Sequence, residues 1–234
     1  MAKKLREIKQ GEEGTGLLIE HEGYISDSIG ENKTICESIK ENGWNVPNPF
    51  ILDAVFQKYD IVNANGRVYP KDILVREVEK YQQRIREHRA YAELNHPVES
   101  VIDLGRICLE VVELHWEKQT LMGKIRIITS EGFRQTGIIS CTGDILANLI
   151  LSGLKVGLSS RGLGSVENKL GKSFVGKDFE LICFDAVSDP STPNAWICSI
   201  VDEEEKYRYV ETIENKNSTI LSEKISKLEK ILTL

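Results

Sequence analysis

The sequence predicts an α+β fold in which mostly antiparallel strands are flanked by helices. The strands are indicated by short runs in which apolar and polar residues alternate, most clearly RICLEVVELHW and LMGKIRIIT, which are separated by EKQT. The main helix is indicated by KDILVREVEKYQQRIREHR, where apolar residues recur every three or four positions. These patterns place an antiparallel ribbon within 101–129 and an amphipathic helix at 71–89.

Composition divides the chain into three segments. Residues 1–50 are rich in glycine and charge and form an irregular lead-in, although the run GLLIEHEG could be one strand. Residues 51–201 carry the patterned strands and helices and are expected to be the globular domain. Residues 202–234 begin as a charged linker and end in an amphipathic helix, STILSEKISKLEKILTL, whose apolar face suits its own domain or a partner.

The other elements of the globular domain follow in chain order. Residues 55–69 are expected to be extended and to turn at NANG, since asparagine and glycine favour turns. A second helix is expected at 143–152 because GDILANLILSG is apolar and closes on a glycine. Three further strands, in KVGLSSRG, KSFVG and DFELICFDAV, are expected within 154–187.

Charge and cysteine usage exclude several classes of function. The 234 residues carry a formal net charge of −6, which argues against direct binding of a nucleic-acid backbone. Five scattered cysteines form no CxxC pair and no metal-ligand cluster, so no metal or organic cofactor is expected. The charged N-terminal residues do not resemble a signal peptide and no apolar run is long enough for a membrane helix, so a soluble intracellular protein is expected.

A serine pair between glycines, in VGLSSRGLGSV, is the first candidate for chemistry. Ser159 or Ser160 could act as a nucleophile if a neighbouring base accepted the hydroxyl proton. Backbone N–H groups in this glycine-flanked stretch could stabilise an oxyanion, and Arg161 could add positive charge. Serine-glycine stretches are common in loops, so the motif alone does not establish catalysis.

A histidine and two aspartates could complete such a site. His96 in AELNHP stands between a predicted helix and a predicted strand, where a general base or an ordinary loop histidine is possible. Asp178 and Asp185 lie in or beside an apolar strand, and an acid there needs a polar partner. Either aspartate could orient a histidine, or could simply bond to backbone amides.

Four motifs in a fixed order resemble a known family. NANGRVYPKDIL, AELNHP, GLSSRGLGSV and DFELICFDAVSDPS are similar, in order and interval, to those of the prohead core protein proteases of tailed bacteriophages. This T4-type family is itself similar to the herpesvirus assemblins. The resemblance covers residues 51–196, well over half of the chain.

The resemblance implies a serine endopeptidase and assigns roles to individual residues. His96 is implied as the general base, Ser159 as the nucleophile, and the Arg161–Gly162 step as part of the oxyanion hole. The third member of the triad is implied to be Asp185 or Asp178; assemblin-like spacing favours Asp178, whereas the phage DAV motif slightly favours Asp185.

The resemblance also implies a fold, substrates and a location. The fold would be a mostly antiparallel, assemblin-like β-barrel flanked by helices. The enzyme would act inside the assembling prohead in the host cytoplasm, cutting the scaffold or core proteins, the major capsid protein precursor and itself. A homo-oligomer is possible, with neither membrane nor nucleic acid as a partner. The alternative function is a protease-fold scaffold or capsid-assembly component with little or no catalysis.

Two stretches remain open to interpretation. NANGRVYP is interpreted as structural support in preference to substrate contact, although Arg67 and Tyr69 could line a cleft. T4-type enzymes favour a glutamate before the cut, an apolar residue two positions before it and a small residue after it. LIEHEG, at 18–23, comes near this pattern without fitting it well.

Overall fold

Strands dominate the part of the chain that the structure describes. This structure is a computed structural model, and it describes residues 6–20, 46–169 and 171–200. The chain divides into two compact units, Met1–Ile200 and Val201–Leu234. The predicted charged linker and terminal amphipathic helix fall in the second unit, outside the described residues.

Ten strands and three α-helices are found among the described residues. In chain order they are β1 (Gly14–Ile19), β2 (Phe50–Lys58), β3 (Arg67–Val68), α1 (Lys71–Arg86), β4 (Tyr91–Glu93), β5 (Ile107–Glu117), β6 (Thr120–Ile127), α2 (Glu131–Thr136), α3 (Thr142–Leu151), β7 (Gly157–Lys169), β8 (Lys172–Val175), β9 (Glu180–Val187) and β10 (Ile197–Ile200), with a 3₁₀ turn at Leu104–Arg106.

The strands form two five-stranded sheets. In the first sheet the strand order is β1-β7-β8-β3, and β9 pairs with the first part of β7, from Gly157 to Leu163. In the second sheet the strand order is β10-β2-β6-β5-β4. Pairing is antiparallel except between β3 and β8. The predicted mostly antiparallel α+β class is therefore confirmed.

The predicted closed barrel is wrong for the described residues. The sheets are linked by the isolated bridges Leu94↔Ala186 and Gly157↔Trp196, and no continuous strand pairing closes either sheet. Instead they pack face to face, with Phe56 of β2 set edge-on to Phe184 of β9 at 5.1 Å between ring centroids. Because the apolar faces of the two sheets pack against each other, the core is buried although neither sheet closes into a barrel.

Both predicted helices form near their expected positions. Helix α1 begins after Pro70, whose fixed φ suits a helix start, and its apolar stripe includes Tyr81, which packs edge-on against Phe184 at 5.6 Å. It ends at Arg86, because His88 adopts a left-handed φ of 53°. Helix α3 begins with a capping box between Cys141 and Asp144.

Part of the predicted lead-in belongs to the first sheet. Strand β1 pairs with β7 from Gly14↔Val166 to Ile19↔Arg161. Its side chains Leu17, Leu18 and Ile19 are fully buried. Residues 17–19 are therefore part of the core, and β1 lies beside the serine-bearing strand β7. The short elements β4, α2 and β10 lack a sequence pattern strong enough to predict.

Candidate active site

Strand pairing places Ser159 directly opposite Asp185. The two are cross-strand neighbours in the antiparallel pair of β7 and β9. Side chains of such a pair project from the same face of a sheet, with Cβ atoms about 5 Å apart. Both side chains are buried, Ser159 to 2% exposure and Asp185 to 0%. The register therefore brings the predicted nucleophile and one predicted acid to one buried spot.

His96 is held against Asp185 by the chain that follows β4. The Asn95 amide donates to the Ala186 carbonyl at 2.8 Å, and Asn95 takes a left-handed φ of 65°, which asparagine tolerates. This turn directs His96 back onto the sheet, where its Nδ1 lies 2.8 Å from Asp185 Oδ2. The acid is thus placed to orient the imidazole ring, as the third member of a triad does.

Arg161 completes a buried charge cluster on the same face. Its guanidinium lies 2.9 Å from Asp185 Oδ2 and 2.8 Å from Glu93 Oε1, and all three side chains are fully buried. Burial alone would raise the pKa of Asp185. The His96 hydrogen bond, the charges of His96 and Arg161 and the Glu93 amide outweigh burial and hold that pKa below its ordinary value. Asp185 is therefore ionised at neutral pH.

The two serines point to opposite faces of β7, because side chains alternate along a strand. The Ser159 hydroxyl donates to the backbone carbonyl of Glu20 at 3.2 Å. Ser160 pairs with Phe184 of the core, and its hydroxyl bonds to the Tyr69 phenol. Ser159 is therefore the serine of the pair that shares a face with Asp185.

Asp178 lies away from this cluster in the turn before β9. Its Oδ1 accepts hydrogen bonds from the amide and the hydroxyl of Ser165, at 3.0 and 2.5 Å. Burial would raise its pKa, but these hydrogen bonds outweigh it and lower the pKa. Asp178 thus bonds to a backbone amide, which is one of the two roles that its sequence context allowed. The aspartate that lies against His96 is Asp185.

The expected oxyanion-hole residues lie in the middle of the first sheet. Arg161 and Gly162 are flanked by β1 on one side and by β9 on the other. The Arg161 side chain is paired with Glu93 and Asp185, so of these two residues only the backbone N–H groups could stabilise an oxyanion. Gly162 has a packing reason to be glycine, since a Cβ there would lie 2.4 Å from Phe179 Cε2. The oxyanion role stays a prediction.

Sequence reasoning missed a second buried polar cluster beside Ser159. Glu20 is 1% exposed and is surrounded by side chains of the NANGRVYP stretch. These side chains, spaced two residues apart, are Asn63, Asn65, Arg67 and Tyr69. Their spacing of two could have indicated one shared polar face, but nothing local connects them with a glutamate more than forty residues earlier.

The described ranges contain neither a cluster of metal ligands nor a membrane-spanning helix. Among residues 6–20, 46–169 and 171–200, no three or more His, Cys, Asp or Glu side chains are grouped to hold a metal ion. Over the same ranges no helix has the length and apolar character that crossing a membrane requires.

Comparison with known proteins identifies the family. The sequence pattern of the family described as prohead core protein serine protease matches residues 17–206. The chain is 31% identical over 184 residues to the prohead core protein protease of Enterobacteria phage T4, covering 77% of this chain and 82% of that protein. Its fold is similar to the solved structure of the bacteriophage T4 capsid assembly protease, with a TM-score of 0.58, 28% identity and coverage of 74% of this chain and 98% of that one. The resemblance seen in the four motifs is confirmed: the chain belongs to the prohead core protein serine protease family.

Proposed function

We propose that the chain is a serine endopeptidase of prohead maturation with Ser159, His96 and Asp185 as its triad. The observation that carries the proposal is the register that sets Ser159 opposite Asp185, with His96 bonded to that same carboxylate at 2.8 Å. Membership of the family supports the reaction class. Asp178 is not proposed as the acid because it is bonded to Ser165.

Each member of the triad has a defined task. Ser159 Oγ attacks the scissile carbonyl carbon while His96 accepts the hydroxyl proton. His96 then gives this proton to the departing amine, which leaves an ester on Ser159. Water, deprotonated by His96, hydrolyses the ester and restores the serine. Asp185 remains ionised throughout and stabilises the imidazolium ion that forms between the two proton transfers.

The relatives suggest where and on what this chain acts. The T4 proteins are described as a prohead core protein protease and a capsid assembly protease. We infer that the substrates are scaffold or core proteins and the precursor of the major capsid protein. Cleavage would take place inside the assembling prohead, in the host cytoplasm. The alternative of a non-catalytic scaffold rested on the amphipathic helix predicted from the sequence of the last residues, which lie outside the described ranges.

A fluorophosphonate probe tests the triad, because an activated serine attacks its phosphorus and displaces fluoride to form a stable phosphonate ester, whereas ordinary serines do not react. We expect labelling at Ser159 in the wild type and in Ser160→Ala, and at least a thousandfold slower labelling in Ser159→Ala and His96→Ala. Ser160→Ala is the matched control because it removes the adjacent hydroxyl from the opposite face. Labelling that persists in Ser159→Ala and disappears in Ser160→Ala would reassign the nucleophile. Labelling of neither serine in the wild type would refute the proposal.

A further inference from the structure

Glu93 is a completely buried carboxylate at the end of β4 that the reaction described above does not use. Its Oε1 accepts hydrogen bonds from the Arg161 guanidinium at 2.8 Å and from the Asp103 amide at 3.1 Å. Its Oε2 lies 3.3 Å from Arg106 Nε. A buried ion pair contributes little to stability compared with well-packed apolar residues, so this carboxylate beside the candidate active site calls for a functional explanation.

The loop that carries the proposed general base is fixed by the same buried charges. We call residues 94–106 the histidine loop. Its two ends are joined, because the Leu94 amide donates to the Arg106 carbonyl at 3.2 Å and the Arg106 guanidinium donates to the Leu94 carbonyl at 2.9 Å. Near its middle, the Glu99 carbonyl accepts a hydrogen bond from Arg161 Nη1 at 2.6 Å. The buried ion pair described above therefore holds the loop at its middle and at its base.

Arg161 joins Glu93 to the proposed catalytic acid. The arginine Nε lies 2.9 Å from Asp185 Oδ2, and the same oxygen lies 2.8 Å from His96 Nδ1. Glu93 also donates its backbone amide to Asp185 Oδ1 at 3.0 Å. The side chains of Glu93, Arg161, Asp185 and His96 are each 3% exposed or less. They therefore form one continuous chain of polar contacts that ends at the general base.

These buried groups carry one more negative charge than positive charge. Arg161 and Asp185 alone would form a neutral pair, which stabilises a neighbouring imidazolium ion less than a free carboxylate does. Glu93 supplies the second negative charge, which offsets the arginine. Cys183 adds no charge, because burial raises the pKa of its thiol well above the ordinary value, and the neutral thiol donates to Asp185 Oδ1 at 3.2 Å. The cluster therefore keeps a net negative charge beside His96.

Other charged groups near the candidate active site are exposed to water or neutralised. Water screens the charged side chains of the histidine loop, all of which are exposed: Glu99, Asp103 and Arg106. Glu20, whose carbonyl accepts the hydrogen bond from Ser159, is paired with the buried Arg67. Glu93 is therefore the buried group that decides the net charge of the cluster.

We propose that Glu93 is a positioning residue that offsets the charge of Arg161 and so keeps the full charge of Asp185 available to the imidazolium ion. This inference rests on the proposed function. Glu93 acts through Arg161 and through the histidine loop, without a part in forming or breaking bonds. Its negative charge favours the step in which His96 accepts the proton of Ser159, because the imidazolium ion that forms is positive.

The pH dependence of fluorophosphonate labelling at Ser159 tests this inference in the full chain. Labelling needs a neutral His96, so its rate falls as the pH is lowered, and the pH of half-maximal rate reports how strongly the site favours the imidazolium ion. Glu93→Gln keeps the shape of the side chain and removes its charge. The pH of half-maximal rate should therefore move down by about one unit. The rate above that pH should fall about three- to tenfold, because a weaker base accepts the proton less readily.

A double variant distinguishes an electrostatic role from a structural one. Arg161→Met alone removes a positive charge, so its pH of half-maximal labelling should move up by about one unit. Combining Glu93→Gln with Arg161→Met restores the net charge of the wild-type cluster. The double variant should therefore have a pH of half-maximal labelling within about 0.3 unit of the wild type. Because it removes both partners of the ion pair, it should also be more stable than Arg161→Met.

Glu110→Gln is the matched control. Glu110 is also a buried glutamate, on β5, and its partners are Arg126 and His88. Its substitution should lower the melting temperature and leave the pH of half-maximal labelling unchanged. All variants are assayed well below their measured melting temperatures, so that differences in labelling are differences between folded proteins.

The outcomes separate this inference from the proposed function. If Ser159 is labelled in the wild type and Glu93→Gln lowers the melting temperature without moving the pH of half-maximal labelling, the inference is wrong and the protease assignment stands. A double variant shifted as far as Glu93→Gln would also overturn the inference, since Glu93 would then not act through Arg161. If Glu93→Gln does not fold, an upward shift in Arg161→Met that the double variant fails to reverse overturns it instead. If the wild type is not labelled, the proposed function itself fails and the inference fails with it.

Discussion

Removing the guanidinium of Arg161 should destabilise the protein strongly. This side chain is completely buried and contacts the carboxylates of Glu93 and Asp185 at 2.8 and 2.9 Å, both of which are also completely buried. It further donates to the Glu99 carbonyl at 2.6 Å. An Arg161→Met substitution keeps much of the volume and leaves two carboxylates without their main buried cation.

The expected loss follows from the partners that remain. Removing one member of a buried ion pair costs about 3–5 kcal/mol in free energy of unfolding. Asp185 keeps the His96 hydrogen bond, and Glu93 keeps the half-exposed Arg106 at 3.3 Å. The loss should therefore fall near the lower end, about 3 kcal/mol. For a domain of this size that corresponds to a fall in melting temperature of about 6–12 °C.

Urea unfolding at pH 7 measures this loss directly. The matched control is Arg89→Met, because Arg89 pairs with Glu87 on the surface, where their side chains are 58% and 40% exposed. Surface ion pairs contribute little, so the control should change the free energy of unfolding by less than about 0.5 kcal/mol. A loss below about 1 kcal/mol in Arg161→Met would refute the claim that this charge cluster depends on its arginine.

The pH dependence of the loss provides a second check. The pKa of Asp185 is lowered in the folded protein, so its ionised form contributes stability above the unfolded value of about 3.9. That contribution disappears as the pH falls through the lower folded pKa. Without Arg161 the folded pKa of Asp185 should rise. The difference in free energy of unfolding between wild type and Arg161→Met should therefore become smaller from pH 7 to pH 4. A difference in free energy of unfolding that is the same at pH 7 and at pH 4 would contradict this explanation.

Two further predictions concern stability. Burial would raise the pKa of Asp144, but hydrogen bonds from Ser130 at the start of α2 and from Ser140 and Cys141 before α3 outweigh it and lower that pKa to about 2. Asp144→Asn should therefore cost about 2 kcal/mol at pH 7 by urea unfolding, with the loss vanishing as the pH falls from about 4 to 2 and with the half-exposed Asp53→Asn as the control. Gly162→Ala should lower the melting temperature, since its Cβ would press on Phe179 at 2.4 Å, at a cost of about 1–3 kcal/mol. Gly132→Ala, whose Cβ in α2 has open space, should instead stabilise by up to about 1 kcal/mol, and a loss as large as that at Gly162 would refute the argument from crowding.

Local periodicity was sufficient to predict the two longer helices and most of the strands. The helix predicted at 71–89 spans Lys71–Arg86, and the one predicted at 143–152 spans Thr142–Leu151. Both patterns reflect contacts within a few turns of the chain. The barrel prediction failed because closure depends on which distant strands pair at the sheet edges, and no local pattern records that.

The candidate site was predictable only in part for the same reason. The sequence offered Asp178 and Asp185 as alternatives, and the choice depends on the register between β7 and β9, which places Asp185 opposite Ser159. The contact of Glu20 with Ser159 joins residues 139 positions apart. Glu20 sits in a segment whose composition indicated an irregular lead-in, so neither propensity nor spacing connected it with the serine.

The burial of Arg67 and Arg161 is best explained by function. These are the two largest fully buried side chains among the described residues, and each is neutralised by glutamate or aspartate. A buried ion pair is weak support for stability, because well-packed apolar residues of similar volume often serve as well or better. Core packing alone therefore gives no reason for two such buried ion pairs. The Arg161 group keeps Asp185 ionised against His96, and the Arg67 group holds Glu20 with its carbonyl on Ser159. The Glu20 carbonyl accepts a hydrogen bond from the Ser159 hydroxyl, and Asp185 stands opposite Ser159 on β9, so both charge clusters lie beside the proposed nucleophile.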